Sequence, residues 1–157
     1  VYPCSCSRAD IAAAASAPQE GVPEFGPDGR IYPGTCRGRP MSDRKPGEAL
    51  RYDFSRTVGK SGEIPVLKEM GTEQAGEHEV TAEHLLTRVG APVLARSGMA
   101  ASYHFAVVLD DAATGVTDVI RGAALFEAAF LQSFLKRELG LPSVRFYHHQ
   151  LIRDEAG

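Results

Sequence analysis

A stretch rich in proline and glycine constrains the fold of this 157-residue chain more than any other feature. Between Pro18 and Pro46 there are six prolines and five glycines, which interrupt helices and strands and favour turns. Cys4 and Cys6 precede this stretch, and Cys36 lies within it. Because a segment without regular structure needs another source of stability, the three cysteines are a candidate metal site.

Zinc is the metal that this cysteine pattern indicates. Structural zinc sites are tetrahedral and take four ligands, so three thiolates leave one position open. Tyr32 is the nearest candidate for that position, because no histidine occurs before His78. The alternative is that Cys4, Cys6 and Cys36 are reduced thiols in a partly buried loop.

Composition excludes several classes of protein. With 43% hydrophobic and 24% charged residues, the chain has the composition of one globular domain or of a large piece of one, and not that of a disordered protein. Three cysteines are too few for a secreted disulfide scaffold, which favours a reducing, cytoplasmic location. No apolar run approaches the 18 or so residues of a membrane span, and no secretory signal is evident. Because the first residue is Val1, we expect a processed chain or a fragment.

Charge is distributed unevenly along the chain, although the total is only −3 and gives no case for a DNA partner. Residues 37–60 carry a net charge of +4, and residues 63–83 carry −5. Both segments are compatible with a solvated surface of alternating sign. The alternative is that the basic segment contacts RNA phosphates, with Arg37, Arg39 and Arg44 as the candidate residues.

Hydrophobic periodicity predicts an α/β fold. We expect a short helix capped by Ser7 and ended by Pro18, a helix over 81–89, and a long helix over 125–139 with Gly140 as its C-cap. We expect strands over 93–95, 105–109, 115–120 and 144–152.

Three other patterns favour structural interpretations. His148 and His149 are adjacent on a predicted strand, so they point to opposite faces and are not expected to share a metal. The Asp110-Asp111 pair is expected in a turn at the end of a strand, and not at a magnesium site. Phe126, Phe130 and Phe134 are spaced for core packing and not for stacking on bases.

Three blocks of the sequence resemble the glutamyl-Q tRNA(Asp) synthetases, which are truncated relatives of glutamyl-tRNA synthetase. The first combines VYPCxCSRADI at residues 1–11 with YPGTCR at 32–37. The second is ASYHFAVVLDDA at 101–112, followed by GVT and VIRG up to residue 122. The third combines LGLP at 139–142 with YHHQLI at 147–152, whereas residues 47–90 match only loosely.

The resemblance implies part of a class I synthetase nucleotide-binding, Rossmann-like fold with a zinc-bearing insertion. Residues 1–100 would form the insertion, which resembles an acceptor-binding subdomain, and 101–157 the second half of the catalytic domain. The family activates glutamate with ATP, for which we expect magnesium, and transfers it to queuosine in the anticodon of tRNA(Asp). Its zinc ligands match Cys4, Cys6, Tyr32 and Cys36.

The family's glutamate pocket matches Tyr103 and Arg121. An arginine can bind a carboxylate through two charge-assisted hydrogen bonds, and a tyrosine hydroxyl can orient the amino acid beside it. From the residues alone, Tyr103 would be an ordinary strand aromatic and Arg121 a member of a surface ion pair.

The chain also departs from the family. Ala124 replaces an acid, Ala129 often a threonine, and Asp118 often a histidine. The family's histidine-containing and lysine-rich nucleotide signatures would precede Val1 and follow Gly157, so we expect the isolated chain to be inactive. Two alternatives therefore remain open: a fragment of a glutamyl-tRNA synthetase, and a catalytically degenerate, zinc-stabilised RNA-binding module.

Overall fold

A computed structural model describes residues 1–15, 24–56, 65–71 and 73–150. The strands in these ranges are β1 Tyr2–Cys4, β2 Phe25–Gly26, β3 Gly29–Arg30, β4 Ala49–Arg51, β5 Val66–Glu69, β6 Gly76–Glu79, β7 Val93–Ala95, β8 Asp118–Gly122 and β9 Arg145–His149. The helices are α1 Arg8–Ala14, α2 Ala82–His84, α3 Tyr103–Thr114 and α4 Phe126–Glu138, and α2 continues as a π-helical turn over Leu85–Val89. Single 3-10 turns cover Met41–Asp43, Phe54–Arg56 and Ala123–Leu125.

The first sheet combines three strands that lie far apart in the sequence. Its strand order is β1-β4-β7, and both pairings are antiparallel. Helix α1 follows β1 and confirms the predicted short helix, since the Ser7 hydroxyl and the Asp10 carboxylate form a reciprocal capping box. The predicted end at Pro18 lies outside the described residues.

The second sheet has four strands in the order β6-β5-β9-β8. Strand β9 runs parallel to both β5 and β8, whereas β5 and β6 are antiparallel. Helix α4 connects β8 to β9 and confirms the helix predicted over 125–139. Gly140 follows it with φ +65°, the left-handed conformation that glycine tolerates at a helix end. Because strands from residues 66–79 and 118–149 share this sheet, it crosses the domain boundary expected at residue 100.

The strand predicted over 105–109 is wrong, because these residues belong to helix α3. The Ser102 hydroxyl accepts a hydrogen bond from the Phe105 N–H at the start of α3, and Gly115 ends the helix with φ +74°. A run of five apolar residues fits a buried helix as well as a strand, and the flanking cap residues decide between them. The Asp110-Asp111 pair therefore lies in α3 and not in a turn.

The other predicted elements largely form. Strand β7 confirms the prediction over 93–95, and α2 with its π-helical turn accounts for the helix predicted over 81–89, with Thr81 as N-cap. Strand β8 begins three residues later than the strand predicted from residue 115. Strand β9 lies within the predicted 144–152, of which residues 151 and 152 are outside the described ranges.

The main hydrophobic core lies between α4 and the four-stranded sheet. Phe130, Phe134 and Phe146 are buried there, and Phe126 packs against them half-buried, which confirms the interpretation of the phenylalanine stripe. The ring of Phe134 contacts those of Phe54 and Tyr52 edge to face, at centroid distances of 5.0 and 5.5 Å. This core draws residues from both halves of the chain.

Among the described helices, none combines the length and the apolar character that crossing a membrane would require.

Phe134→Ala tests the importance of this core. Removing a buried phenylalanine ring leaves a cavity and costs about 3–5 kcal/mol of the free energy of unfolding, which urea titration of the full-length protein measures. Phe25→Ala is the matched control. Its ring is 60% exposed and contacts only the Arg30 guanidinium among the described aromatic and cationic contacts, so we expect a loss below about 1 kcal/mol. Equal losses would contradict the placement of Phe134.

Candidate functional site

Arg121 lies half-buried on β8 and is held by three acceptors. Its Nε donates to His148 Nε2 at 2.9 Å, its Nη1 to Gln132 Oε1 at 2.8 Å, and its Nη2 to the Leu125 carbonyl at 3.1 Å. The guanidinium also lies 5.1 Å from the centre of the Phe146 ring. These contacts replace the surface ion pair that the residue type alone suggested.

Tyr103 is the first residue of α3, and its side chain is 56% exposed. It is therefore not a strand aromatic. Tyr103 lies near Arg121: burial lowers the pKa of the guanidinium, and the neighbouring Tyr103 opposes that shift. Two residues 18 positions apart, on a helix start and on a strand, thus present a hydroxyl and a cation together.

Guanidinium chemistry suits this arrangement to a carboxylate. A guanidinium carries five N–H groups, and three of those of Arg121 donate to His148, Gln132 and Leu125. These hydrogen bonds use one N–H of each nitrogen, so each terminal nitrogen has a second N–H that can serve a ligand or the nearby Tyr103 hydroxyl. Paired N–H groups of this kind bind the two oxygens of a carboxylate with charge-assisted hydrogen bonds.

The three cysteines converge in a second cluster. Their Sγ atoms all lie within 4.8 Å of one another, and Cys6 Sγ is 3.6 Å from Cys36 Sγ. The Tyr32 hydroxyl lies 3.4 Å from the sulfurs of both Cys4 and Cys6. It also accepts the backbone N–H of Cys36 at 2.7 Å, so four donor atoms face one another.

The dimensions of this cluster fit zinc. Tetrahedral zinc with Zn–S bonds of about 2.3 Å places two sulfurs about 3.8 Å apart, and a sulfur and an oxygen ligand about 3.6 Å apart. The observed 3.6 Å and 3.4 Å separations are close to these values. Burial raises the pKa of the Cys36 thiol, but hydrogen bonds from Tyr32 and from the backbone of Ser5 outweigh it and lower the pKa to about 6. That shift favours the thiolate of Cys36, whereas burial raises the pKa of the Cys6 thiol and that of the Tyr32 hydroxyl.

Arg51 packs against Tyr32, one of the four residues of this cluster. Its guanidinium stacks 4.0 Å from the centre of the Tyr32 ring, and its Nη1 donates to the Ala91 carbonyl at 2.7 Å. Arg51 is buried on β4, next to β1, which carries Cys4. Arg51 belongs to the basic segment 37–60. At least one positive charge of that segment is therefore buried in the fold and not at the surface.

The three candidate RNA-contact residues differ in their surroundings. Arg39 forms a fork with the Glu48 carboxylate, with N···O distances of 2.9 and 3.1 Å, and donates to the Asp43 carbonyl. Arg37 and Arg44 are exposed. Burial raises the pKa of the Tyr2 hydroxyl to about 12, and the charge of Arg37 opposes that shift.

Three polar residues around Arg121 were not predicted as site residues: Glu69, Gln132 and His148. All three are buried. Their positions in the sequence, 69, 132 and 148, show no spacing that would group them, because the contacts cross between strands and helix. His148 and His149 do point to opposite faces of β9, as predicted, since only His148 is buried. Along β9, exposed and buried residues alternate, and His148 lies on the same buried face as Phe146. This alternation is the one pattern that could have indicated a buried His148.

The three residues that depart from the family pattern lie in different surroundings: an ion pair, the hydrophobic core and an exposed position. Asp118 forms a fork with Arg145, with N···O distances of 2.7 and 2.8 Å, and this hydrogen bonding lowers the pKa of the carboxyl to about 2. Ala129 is fully buried in the core. Ala124 is exposed beside a cleft of about 250 Å³ that Glu127 and His148 also line.

Comparison with known proteins places residues 68–157 in the family described as tRNA synthetases class I (E and Q), catalytic domain. The whole chain is 51% identical to the glutamyl-Q tRNA(Asp) synthetase of Rhodobacter capsulatus, of which it covers 56%. Over 99% of its length it is 36% identical to the glutamyl-Q tRNA(Asp) synthetase of Deinococcus radiodurans, of which it covers 48%. The chain thus spans about half the length of these relatives.

Solved structures support the fold. A glutamate tRNA ligase from Elizabethkingia meningosepticum, in complex with its amino acid, superposes on 68% of this chain with a TM-score of 0.53 at 24% sequence identity. The match covers 19% of that enzyme. These comparisons confirm the resemblance found in the sequence: the chain belongs to the class I tRNA synthetases (E and Q), and residues 68–157 match their catalytic domain.

Proposed function

We propose that the full-length protein containing this chain activates glutamate with ATP and transfers it to queuosine in the anticodon of tRNA(Asp), in the cytoplasm. The names of its relatives support this assignment. The observation that carries it is the Arg121 guanidinium, fixed by three acceptors with N–H groups left over beside Tyr103. Within the described residues this is a cation prepared for a carboxylate ligand.

In this proposal Arg121 binds a carboxylate of glutamate and Tyr103 orients the amino acid. A carboxylate oxygen of glutamate attacks the α-phosphate of ATP and displaces pyrophosphate, which gives glutamyl-adenylate. Glutamine is rejected because its neutral amide leaves the half-buried Arg121 cation less well paired. Magnesium would accompany the ATP, and we assign no residue of this chain to the nucleotide.

Arg121→Ala is expected to raise the glutamate KM in ATP–pyrophosphate exchange by about a hundredfold or more, because it removes two charge-assisted hydrogen bonds worth about 1.5–3 kcal/mol each. The ATP KM should change little, and Tyr103→Phe should have a milder effect on the glutamate KM. Arg145→Ala is the matched control, since Arg145 pairs with Asp118 at the surface. An unchanged glutamate KM in Arg121→Ala would contradict the pocket.

The identity of the charged RNA separates the proposal from its alternatives. Labelled glutamate should become attached to tRNA(Asp) that carries queuosine and not to the same tRNA without it. Charging of the 3′ end of tRNA(Glu) would instead identify a glutamyl-tRNA synthetase. RNA binding without any pyrophosphate exchange by the full-length protein would identify a degenerate binding module.

The zinc ligands in this proposal are Cys4, Cys6, Tyr32 and Cys36. The metal would replace weak S–H and O–H contacts with bonds that join β1, the segment between β1 and α1, and the turn around Cys36. Bound zinc would supply a structural cross-link here, because the four protein donors leave no open coordination position.

Zinc analysis of full-length protein purified without chelator should find one zinc per chain at this site. Cys36→Ser should lower the zinc content, and Tyr32→Phe should weaken retention against a chelator by removing the oxygen donor. Tyr52→Phe is the matched control, because the Tyr52 hydroxyl donates to Glu138, away from the cluster. Removal of zinc should increase hydrogen exchange across residues 1–40. Zinc content that does not change in Cys36→Ser would exclude the assignment.

The basic segment forms the third part of the proposal, as a surface that contacts tRNA phosphates through Arg37, Arg39 and Arg44. The exposure of Arg37 and Arg44 supports such a role. The ion pair of Arg39 with Glu48 gives that residue a structural task as well, so its replacement would not report on RNA alone.

The double variant Arg37→Ala/Arg44→Ala is expected to flatten the salt dependence of tRNA binding. Each lost phosphate contact should reduce the slope of log K against log salt by about 0.7–0.9. Lys68→Ala is the control, since Lys68 lies in the acidic segment and pairs with Glu77. If the slope of the double variant equals that of Lys68→Ala, the segment is a solvated surface.

A further inference from the structure

A continuous line of polar side chains runs from Glu69 on β5 to His104 on α3, with Arg121 in the middle. Glu69 Oε2 is 2.5 Å from His148 Nδ1, and His148 Nε2 is 2.9 Å from Arg121 Nε. On the other side, Gln132 contacts Arg121 Nη1 at 2.8 Å and His104 Nδ1 at 3.4 Å. All of these side chains except that of Arg121 are buried.

Donor and acceptor chemistry assigns the protons along this line. The Arg121 Nε–H can only donate, so His148 Nε2 must accept, and the ring proton of His148 then sits on Nδ1 and donates to Glu69. In the same way, Gln132 accepts from Arg121 with its oxygen and donates to His104 with its amide nitrogen. His104 Nε2 then donates to the Pro27 carbonyl at 3.3 Å. Every group therefore has one consistent orientation.

Glu69 is the fixed end of the line. Its side chain is completely buried, and its Oε1 accepts the backbone N–H groups of Gly71 and His148 at 2.8 and 2.9 Å. Burial raises the pKa of the Glu69 carboxyl, but the hydrogen bonds from His148 and Gly71 outweigh that effect and lower it. Glu69 is thus an ionised carboxylate that keeps the His148 ring in one orientation and one tautomer.

The position of Arg121 follows from its neighbours. The plane of the guanidinium is set by His148 on Nε and Gln132 on Nη1, and a rotation would break both hydrogen bonds. Resting on the proposed glutamate site, we propose that Glu69 and His148 are positioning residues that orient Arg121, so that its two remaining N–H groups face the carboxylate of glutamate. If the network were only structural, it would stabilise the fold but would have no effect on the direction of the Arg121 N–H groups.

Two substitutions at residue 148 separate these roles. In His148→Gln, the amide oxygen can occupy the place of Nε2 and accept from Arg121, but no group donates to Glu69 Oε2. In His148→Asn, the amide nitrogen can occupy the place of Nδ1 and donate to Glu69, but Arg121 Nε–H loses its acceptor. The exposed His149, altered in His149→Gln, is the matched control on the same strand.

The proposal predicts opposite orders for stability and for substrate binding in the full-length protein. His148→Gln should lower the midpoint of thermal unfolding more, by about 3–6 °C, because it leaves a buried carboxylate oxygen without its donor. His148→Asn should raise the glutamate KM in pyrophosphate exchange more, by about tenfold, with the ATP KM unchanged. His149→Gln should match the wild type in both measurements. If the glutamate KM instead follows the loss of stability in the two variants, the positioning role is overturned.

A spectroscopic measurement keeps this test separate from the proposed function. In the ¹⁵N spectrum of the wild-type full-length protein, His148 should carry its proton on Nδ1 and not on Nε2. The Arg121 Nε–H resonance should be protected from exchange with water in the wild type and in His148→Gln, and exposed to it in His148→Asn. Equal protection in both variants would overturn the positioning pair. A wild-type protein that shows these signals but no glutamate-dependent exchange would contradict the proposed function alone.

Discussion

A buried carboxylate, that of Glu69, joins the strands of the four-stranded sheet at the candidate site. It accepts hydrogen bonds from the backbone and the ring of His148 on the neighbouring parallel strand, and His148 in turn contacts Arg121 on the next strand. Burial of a charge is costly unless the charge is paired and hydrogen-bonded, and here both oxygens have donors. Gly71 makes this possible, because a Cβ at that position would lie 2.6 Å from Glu69 Oε1 and 2.5 Å from the His148 carbonyl.

The region around Cys4, Cys6 and Cys36 is stabilised differently from the four-stranded sheet. Among the described residues, the hydrophobic cluster around the cysteines has five buried members, of which Cys4, Tyr32 and Cys36 are also candidate metal ligands. Regular structure contributes little there: β2 and β3 have two residues each, and no residue of α1 is buried. The same side chains therefore form this core and would be the ligands of the proposed zinc site.

Local patterns in the sequence predicted local structure well. The capping box of Ser7 and Asp10, the apolar stripe of α4 and the left-handed Gly140 all act within a few residues of their element. The length of the apolar run 105–109 does not distinguish a helix from a strand, and the Ser102 N-cap is the local feature that indicates a helix there. The contact between Glu69 and His148 could not be predicted from the sequence. The two residues are 79 positions apart and meet only because β5 and β9 pair in the sheet.

The line of side chains through Arg121 also limits how such a sequence can change over time. Each member satisfies a buried donor or acceptor of the next, so a single substitution leaves at least one polar atom unpaired, at a cost of about 1–3 kcal/mol. Positions 69, 104, 121, 132 and 148 are therefore coupled, and the effects of substitutions there are not expected to add. We therefore expect paired, compensating substitutions to be tolerated better than single ones at these positions, whereas His149 and Ala124 are exposed and lie outside the line.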